Sequence, residues 1–184
     1  MDKDLKNNVD TSKLSEQGIK NFAVLLLKKI AESYDSKKGM GVELFNAIAK
    51  LKVTMTLEVV CVRRNAQNNK IEIYLIPRSL TDTAYPGQWH IPGSVMRPGE
   101  EIDDVFLRLE KNEIGLRMLS KKFVFHFNNP KEVRGHFFSL EYLGVLEEGS
   151  GYGKWFAADD LPLDTIAYHR NEVIPHAVTL FLNS

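Results

Sequence analysis

The sequence predicts an α+β fold, an α/β/α sandwich in which a mixed sheet lies between helices and follows an amino-terminal helical extension. Three observations carry this. Residues 15–33 and 42–51 repeat apolar side chains at three- and four-residue spacings, as amphipathic helices do. Residues 53–63, 70–77, 123–128 and 135–147 are rich in Val, Ile, Phe and Tyr and are bounded by polar or glycine-containing turns, as strands are. Between the second and third of these lies a loop punctuated by Pro92, Gly93, Pro98 and Gly99, then a helix-period segment closed by Gly115. A chain of 184 residues with 43% apolar residues builds one well-buried core and not two. The expected organisation is a helical extension over 1–51 and one catalytic or binding domain over 52–184.

Taken in order, residues 1–12 are polar, without periodicity, and are expected to be mobile. The first helix carries Ile19, Phe22, Ala23, Leu26, Leu27 and Ile30 on one face, and Val24 and Leu25 broaden that face. Such a wide stripe suits packing on the chain's own domain or a homodimer through these helices. After Gly39 and Gly41, a second helix places Leu44, Phe45, Ile48 and Leu51 together. The polar stretch 65–69 joins two antiparallel strands, and 78–85 leads as a loop into Pro86 and Gly87. The helix after Gly99 starts at or just beyond Glu101, with Asp103 and Asp104 in its first turn, where negative charge suits the helix dipole. Glycines 149, 151 and 153 predict a flexible turn, Trp155 and Phe156 open a late strand, and 171–183 form a last amphipathic helix that Pro175 starts or breaks.

Composition excludes several classes. Lys plus Arg and Asp plus Glu number 24 each, so no global field recruits nucleic acid or an anionic membrane. Apolar runs fall short of the roughly 18 residues that cross a bilayer, and the charged amino terminus does not read as a secretory signal. The single cysteine, Cys61, lies in an apolar strand and is expected to be buried; a reducing, cytoplasmic setting fits it.

Residues 89–116 resemble the signature of the Nudix hydrolases: Gly, five residues, Glu, seven residues, Arg-Glu, an aliphatic, any residue, Glu-Glu, any residue, Gly and an aliphatic. Without a gap, Ser94 stands at the first glycine, Glu100 at the first Glu, Arg108 at the Arg, Glu113 at the last Glu, and Gly115 and Leu116 at the end. Leu109 and Asn112 stand where two further helical glutamates are expected. Residues 86–93 look like the usual approach to this box, and 154–161 like the family's late strand and turn. The segment 106–117 is also similar to the altered box of GDP-mannose mannosyl hydrolases, although the histidine that those enzymes use before the late strand is missing here.

The resemblance implies a diphosphate hydrolase that uses Mg2+ or Mn2+. A hard cation neutralises phosphate charge, and three carboxylates at 109, 112 and 113 would converge on it. With Glu113 alone in register, the cation is expected to bind together with substrate, helped by Glu100 and the Gly93 carbonyl. Glu110 with Glu113 is the alternative, shifted pair. Arg108 is expected to fix the loop by bonding Glu100. A carboxylate in the region before the late strand, Glu147 or Glu148, is the candidate base. Arg63, Arg64 and Arg78 border strands and suit bidentate contact with phosphate. Tyr85 and Trp89 offer rings for a base or sugar, and His90 alternates with Trp89 toward the same cleft.

Two functions therefore compete. One is hydrolysis of a nucleoside diphosphate linked to another moiety, such as a diphosphate or nucleotide-sugar bond. The other is a catalytically weakened Nudix fold that senses a nucleotide-like ligand or mediates assembly.

Overall fold

The computed structural model describes residues 11–184; most of the polar tail expected to be mobile lies outside them. Contacts divide the chain into two compact units, residues 1–40 and 41–184. In the first unit a short 3-10 turn, Thr11–Lys13, precedes helix α1, Glu16–Glu32. Ser15 caps α1 by accepting the Gly18 N–H at 3.1 Å, which satisfies one of the orphan donors of the first turn. No residue of α1 is buried, and Val24 and Leu25 are exposed.

The second unit opens with α2, Val42–Ala49, followed by β1, Val53–Arg64, and β2, Ile71–Pro77. Short strands β3, Trp89–His90, and β4, Gly93–Val95, then lead to α3, Ile102–Leu109. A π-helical turn, Glu110–Ile114, continues α3. A long hairpin follows, β5, Met118–Glu132, and β6, Gly135–Leu146; then β7, Lys154–Ala157, a second π turn, His169–Val173, and α4, Ile174–Leu182. The strand order is β3-β2-β1-β6-β5, with β4 paired to β1 and β7 to β2. β1 runs parallel to β6 and antiparallel to β2 and β4, so the sheet is mixed, as the sequence predicts.

β1 is buried from Thr56 to Val62, because both faces are covered. Leu57, Val59 and Cys61 alternate onto one face, where they share a cluster with Phe106, Leu109 and Ile114 of the α3 segment. Val60 and Val62 point the other way, into a cluster with Ile174 and Ala177 of α4. A two-residue period with a helix on either side is what makes the sheet the middle layer. Burial pushes the Cys61 thiol pKa far up, so it behaves as a small apolar side chain.

Two boundaries differ from the sequence reading. α2 packs with the sheet-bearing unit: Phe45 meets Phe137 of β6 edge-on at 6.4 Å. β5 exceeds the expected 123–128 at both ends, running from Met118 to Glu132; residues 119–123 are exposed and their polar, lysine-containing sequence lacks the alternation that announces a half-buried strand.

Candidate functional site

The loop before α3 is held by one guanidinium. Arg108 donates from Nε to Glu100 Oε1 at 2.8 Å and from Nη2 to Oε2 at 2.9 Å, and also reaches the Val95 carbonyl at 2.9 Å and the Ser94 hydroxyl. Glu100 Oε2 also accepts the Arg97 N–H at 2.8 Å. Burial would raise the Glu100 pKa, but these donors hold it low. Both Glu100 oxygens thus face protein donors, which makes Glu100 and Arg108 the clasp of the loop.

α3 starts where the Glu101 N–H donates to the Asp104 carboxylate at 2.9 Å. It ends in a π turn, in which the Gly115 N–H bonds to the Glu110 carbonyl at 2.9 Å. Gly115 has φ 75°, and a Cβ there would lie 3.1 Å from the Tyr152 ring, so both backbone and space call for glycine. The side chains of this segment go different ways. Leu109 is buried in the core, Glu110 turns to accept the Met118 N–H at 2.9 Å, and Asn112 and Glu113 line a cavity of about 420 Å3. Positions 112 and 113 therefore meet at the cavity while 109 does not, and Glu110 is taken up by the Met118 N–H.

Arg78, Asp82, His90, Gly93 and Tyr152 complete the cavity's polar lining. Burial pushes the Glu113 pKa up to about 7, against the pull of Arg78, the neighbouring Gly93 N–H and Arg108. Gly93 admits no side chain, since a Cβ would stand 2.8 Å from Glu58 Cγ. Arg78 donates to Asp82 Oδ2 at 2.7 Å, while Asp82 Oδ1 accepts the N–H groups of Ala84 and Tyr85 at 2.9 and 2.8 Å. These donors overcome the effect of burial and keep Asp82 ionised far below the usual carboxylate range. His90 is neutral: burial, then the charge of Arg78, lowers its pKa well below the ordinary value.

Of the residues singled out in the sequence, Arg78, His90, Gly93 and Glu113 meet at this cavity. Trp89 packs edge-on against Phe156 at 5.0 Å, and burial, with the nearby Glu132 charge, raises the Tyr85 pKa. Arg63 pairs with Glu72 at 2.7 Å and stacks on Trp155. Glu147 accepts the Arg117 N–H at 2.9 Å, and Glu148 is exposed on the loop that brings Tyr152 to the cavity. The glycines of that loop serve close packing rather than flexibility: Cβ atoms at Gly151 and Gly153 would lie 2.3 Å and 2.2 Å from backbone carbonyl oxygens. Asp82 escaped sequence reasoning, because nothing in a loop sequence shows which arginine a carboxylate will clamp. So did Glu58, buried beneath Gly93 and 3.4 Å from His169 Nε2; its acidic neighbour Glu141 is pushed toward the neutral form by burial and by the Glu58 charge.

Among the described residues, no group of three His, Cys, Asp or Glu side chains is gathered to hold a metal. The donor set fits one cation weakly. Glu113 is a desolvated carboxylate whose ionised form lacks a full counter-charge, and Asn112 beside it offers a neutral oxygen.

Comparison with known proteins adds the following. The NUDIX domain model matches residues 54–177. The NUDIX domain of Shewanella oneidensis NrtR, solved with ADP ribose, superposes with a TM-score of 0.59 at 14% identity, over 84% of this chain and 97% of that one. A MutT NUDIX hydrolase from Burkholderia pseudomallei gives 0.56 at 20% identity, over 69% of this chain and 98% of that one. A MutT/nudix family protein from Enterococcus faecalis gives 0.58 at 22% identity, over 72% of this chain but only 63% of its own length. No curated protein matches the sequence.

Proposed function

This chain belongs to the Nudix family, and on that premise we propose that it hydrolyses a nucleoside diphosphate linked to another moiety, a diphosphate or nucleotide-sugar bond, with a divalent cation. The observation that supports the reading most is the convergence of Glu113, Arg78 and His90 on one cavity, which has room for a diphosphate and part of what it joins.

Each residue has a role set by its surroundings. Glu113 would hold Mg2+ or Mn2+, assisted by the Gly93 carbonyl and by Asn112, and the cation would neutralise phosphate charge. Arg78, kept in place by Asp82, presents its remaining donors to a phosphate oxygen; its buried Nε has no hydrogen-bond partner among the described residues. Neutral His90 donates or accepts a single hydrogen bond without adding charge. Asp82 is engaged by three donors, so it takes no proton. With Glu113 on the cation, Glu148 is the carboxylate we assign as base, on the loop whose Tyr152 reaches the cavity. Glu100 and Arg108 keep that geometry by clasping the loop. The exposed apolar residues of α1 carry the proposed homodimer contact.

A second reading rests on one observation: a single carboxylate, Glu113, is offered to a cation where the family pattern has more. A Nudix fold so weakened would bind a nucleotide-like ligand and signal rather than cleave it, and the ADP ribose in the Shewanella NUDIX domain makes that ligand class worth testing. Incubation with nucleotide sugars, ADP-ribose and dinucleoside polyphosphates, with Mg2+ or Mn2+, separates the two. Release of mononucleotide, or of nucleoside diphosphate and free sugar, supports hydrolysis; binding without release of either supports the sensor.

A further inference from the structure

Tyr152 stands on a backbone that is tied down on both sides. Its own N–H donates to the Ile114 carbonyl at 2.9 Å, at the end of the π turn that continues α3. The next N–H, of Gly153, donates to the Tyr74 hydroxyl at 2.6 Å, and that hydroxyl donates to the same Ile114 carbonyl at 3.0 Å. Tyr74 is buried in β2, so the anchor belongs to the core. With Gly151 and Gly153 pressed against backbone oxygens, the segment 151–153 is a rigid pedestal.

The ring that the pedestal carries is left open. Tyr152 is 65% exposed, and it lines the same cavity as Glu113 and Arg78. A Cβ on Gly115 would stand 3.1 Å from Cγ, Cδ1 and Cε1 of this ring alike, and a point equally close to three consecutive ring atoms lies over the face, not beyond the edge. One face therefore rests on the backbone at Gly115. The other is turned away from it, and among the described residues no second ring or cation covers it, whereas Trp89 packs on Phe156 and Trp155 meets Tyr74 and Arg63. A lone exposed ring is ordinary on a protein surface. One locked from below at a phosphate-sized cavity is prepared for a flat ligand, because its ordering cost is met before the ligand arrives.

We propose that Tyr152 is the residue on which the planar base of the nucleoside stacks, while the diphosphate meets Arg78 and the cation at Glu113. Every base has a π face, so a stacking platform selects for a nucleoside end without reading which base it carries. The proposal rests on the diphosphate reading of the cavity.

Two variants of the full chain separate the ring from its packing. Tyr152→Phe removes only the hydroxyl, whereas Tyr152→Leu keeps an apolar cover on Gly115 and removes the π face. Calorimetry with Mg2+ and ADP, GDP or UDP reads the nucleoside, and inorganic pyrophosphate serves as the probe without a ring. Tyr152→Leu is expected to weaken each nucleotide about tenfold and to leave pyrophosphate unchanged, with Tyr152→Phe within about twofold of the wild type throughout. Unchanged nucleotide affinity in Tyr152→Leu overturns the proposal, as does an equal loss for pyrophosphate or an equal loss in Tyr152→Phe. Adenosine keeps the test independent of the phosphate site: its base-proton resonances should move upfield with the wild type and Tyr152→Phe but not with Tyr152→Leu. That pattern in a wild type that binds no pyrophosphate would sink the diphosphate reading and leave the ring its role; the same shift with all three proteins, or with none, would sink the stacking.

Discussion

Leu109 and Glu113 lie four residues apart on one helix and face different ways: Leu109 is in the core, and Glu113 lines the cavity. An α-helix would put positions i and i+4 on one face. Here position 109 is an apolar core residue and Glu110 turns to the Met118 N–H, so Glu113 is the helix carboxylate that lines the cavity.

Glutamine at 113 is therefore expected to lower turnover by at least about a hundredfold, as loss of a group acting directly in the reaction does. Glutamine at 110 keeps an oxygen for the Met118 N–H and should leave turnover within about threefold. Steady-state rates for the two variants check this, and equal losses would restore the shifted pair.

The same geometry separates two substitutions that the sequence alone treats as one repair. Asn112→Glu adds a carboxylate beside Glu113 at the cavity and should strengthen Mn2+ binding in the absence of substrate, measured by calorimetry. Leu109→Glu puts a charge into the core and should destabilise the fold by about 3–5 kcal/mol, measured by urea unfolding. A stable Leu109→Glu protein with improved metal binding would show that the helix register is wrong.

pH offers a further test. The Glu113 pKa is raised in the folded state, from an ordinary 4.5 to about 7, by burial. A folded state that holds the proton more tightly than the unfolded one loses stability as pH rises through that window. Without metal, the wild type should thus lose stability relative to Glu113→Gln between pH 4.5 and 7, and divalent cations should offset the loss above pH 7. Thermal unfolding at several pH values measures the difference, and parallel curves would contradict the assignment.

Much of this was legible in the sequence because it depends on local pattern. The alternation from Leu57 to Val62, the breaks at Pro98 and Gly99, and the closing Gly115 each specify backbone or burial directly. The pairing of Glu100 with Arg108 followed from family resemblance. The rest depends on contacts between distant segments. Nothing near Asp82 announces Arg78 as its partner, and a π turn differs from an α turn by one residue of register that apolar spacing does not resolve. Trp89 has a ring suited to stacking, yet it packs on Phe156, a partner that sequence cannot show.

Arg108→Lys should lower stability by about 2–4 kcal/mol, because a lysine cannot span Glu100, Ser94 and Val95 together. Denaturant unfolding would show it, and an unchanged midpoint would mean that the loop is held by other contacts.

Removal of residues 1–40 should leave the sheet-bearing unit folded, whereas removal of 1–51 takes away α2 with its Phe45 contact and should lower the melting temperature clearly. Thermal melts of the two truncations locate the working boundary; equal melting temperatures would place it at 51.

The central claim is that Glu113 and Arg78 together form a cation-assisted diphosphate site. Mononucleotide release from a panel of nucleotide sugars, ADP-ribose and dinucleoside polyphosphates, with and without Mg2+, by the wild type, Glu113→Gln and Arg78→Gln, tests it most directly. Metal-dependent release by the wild type, loss of turnover at 113 and a raised KM at 78 are expected. Release that needs no metal, or that survives both substitutions, would contradict it.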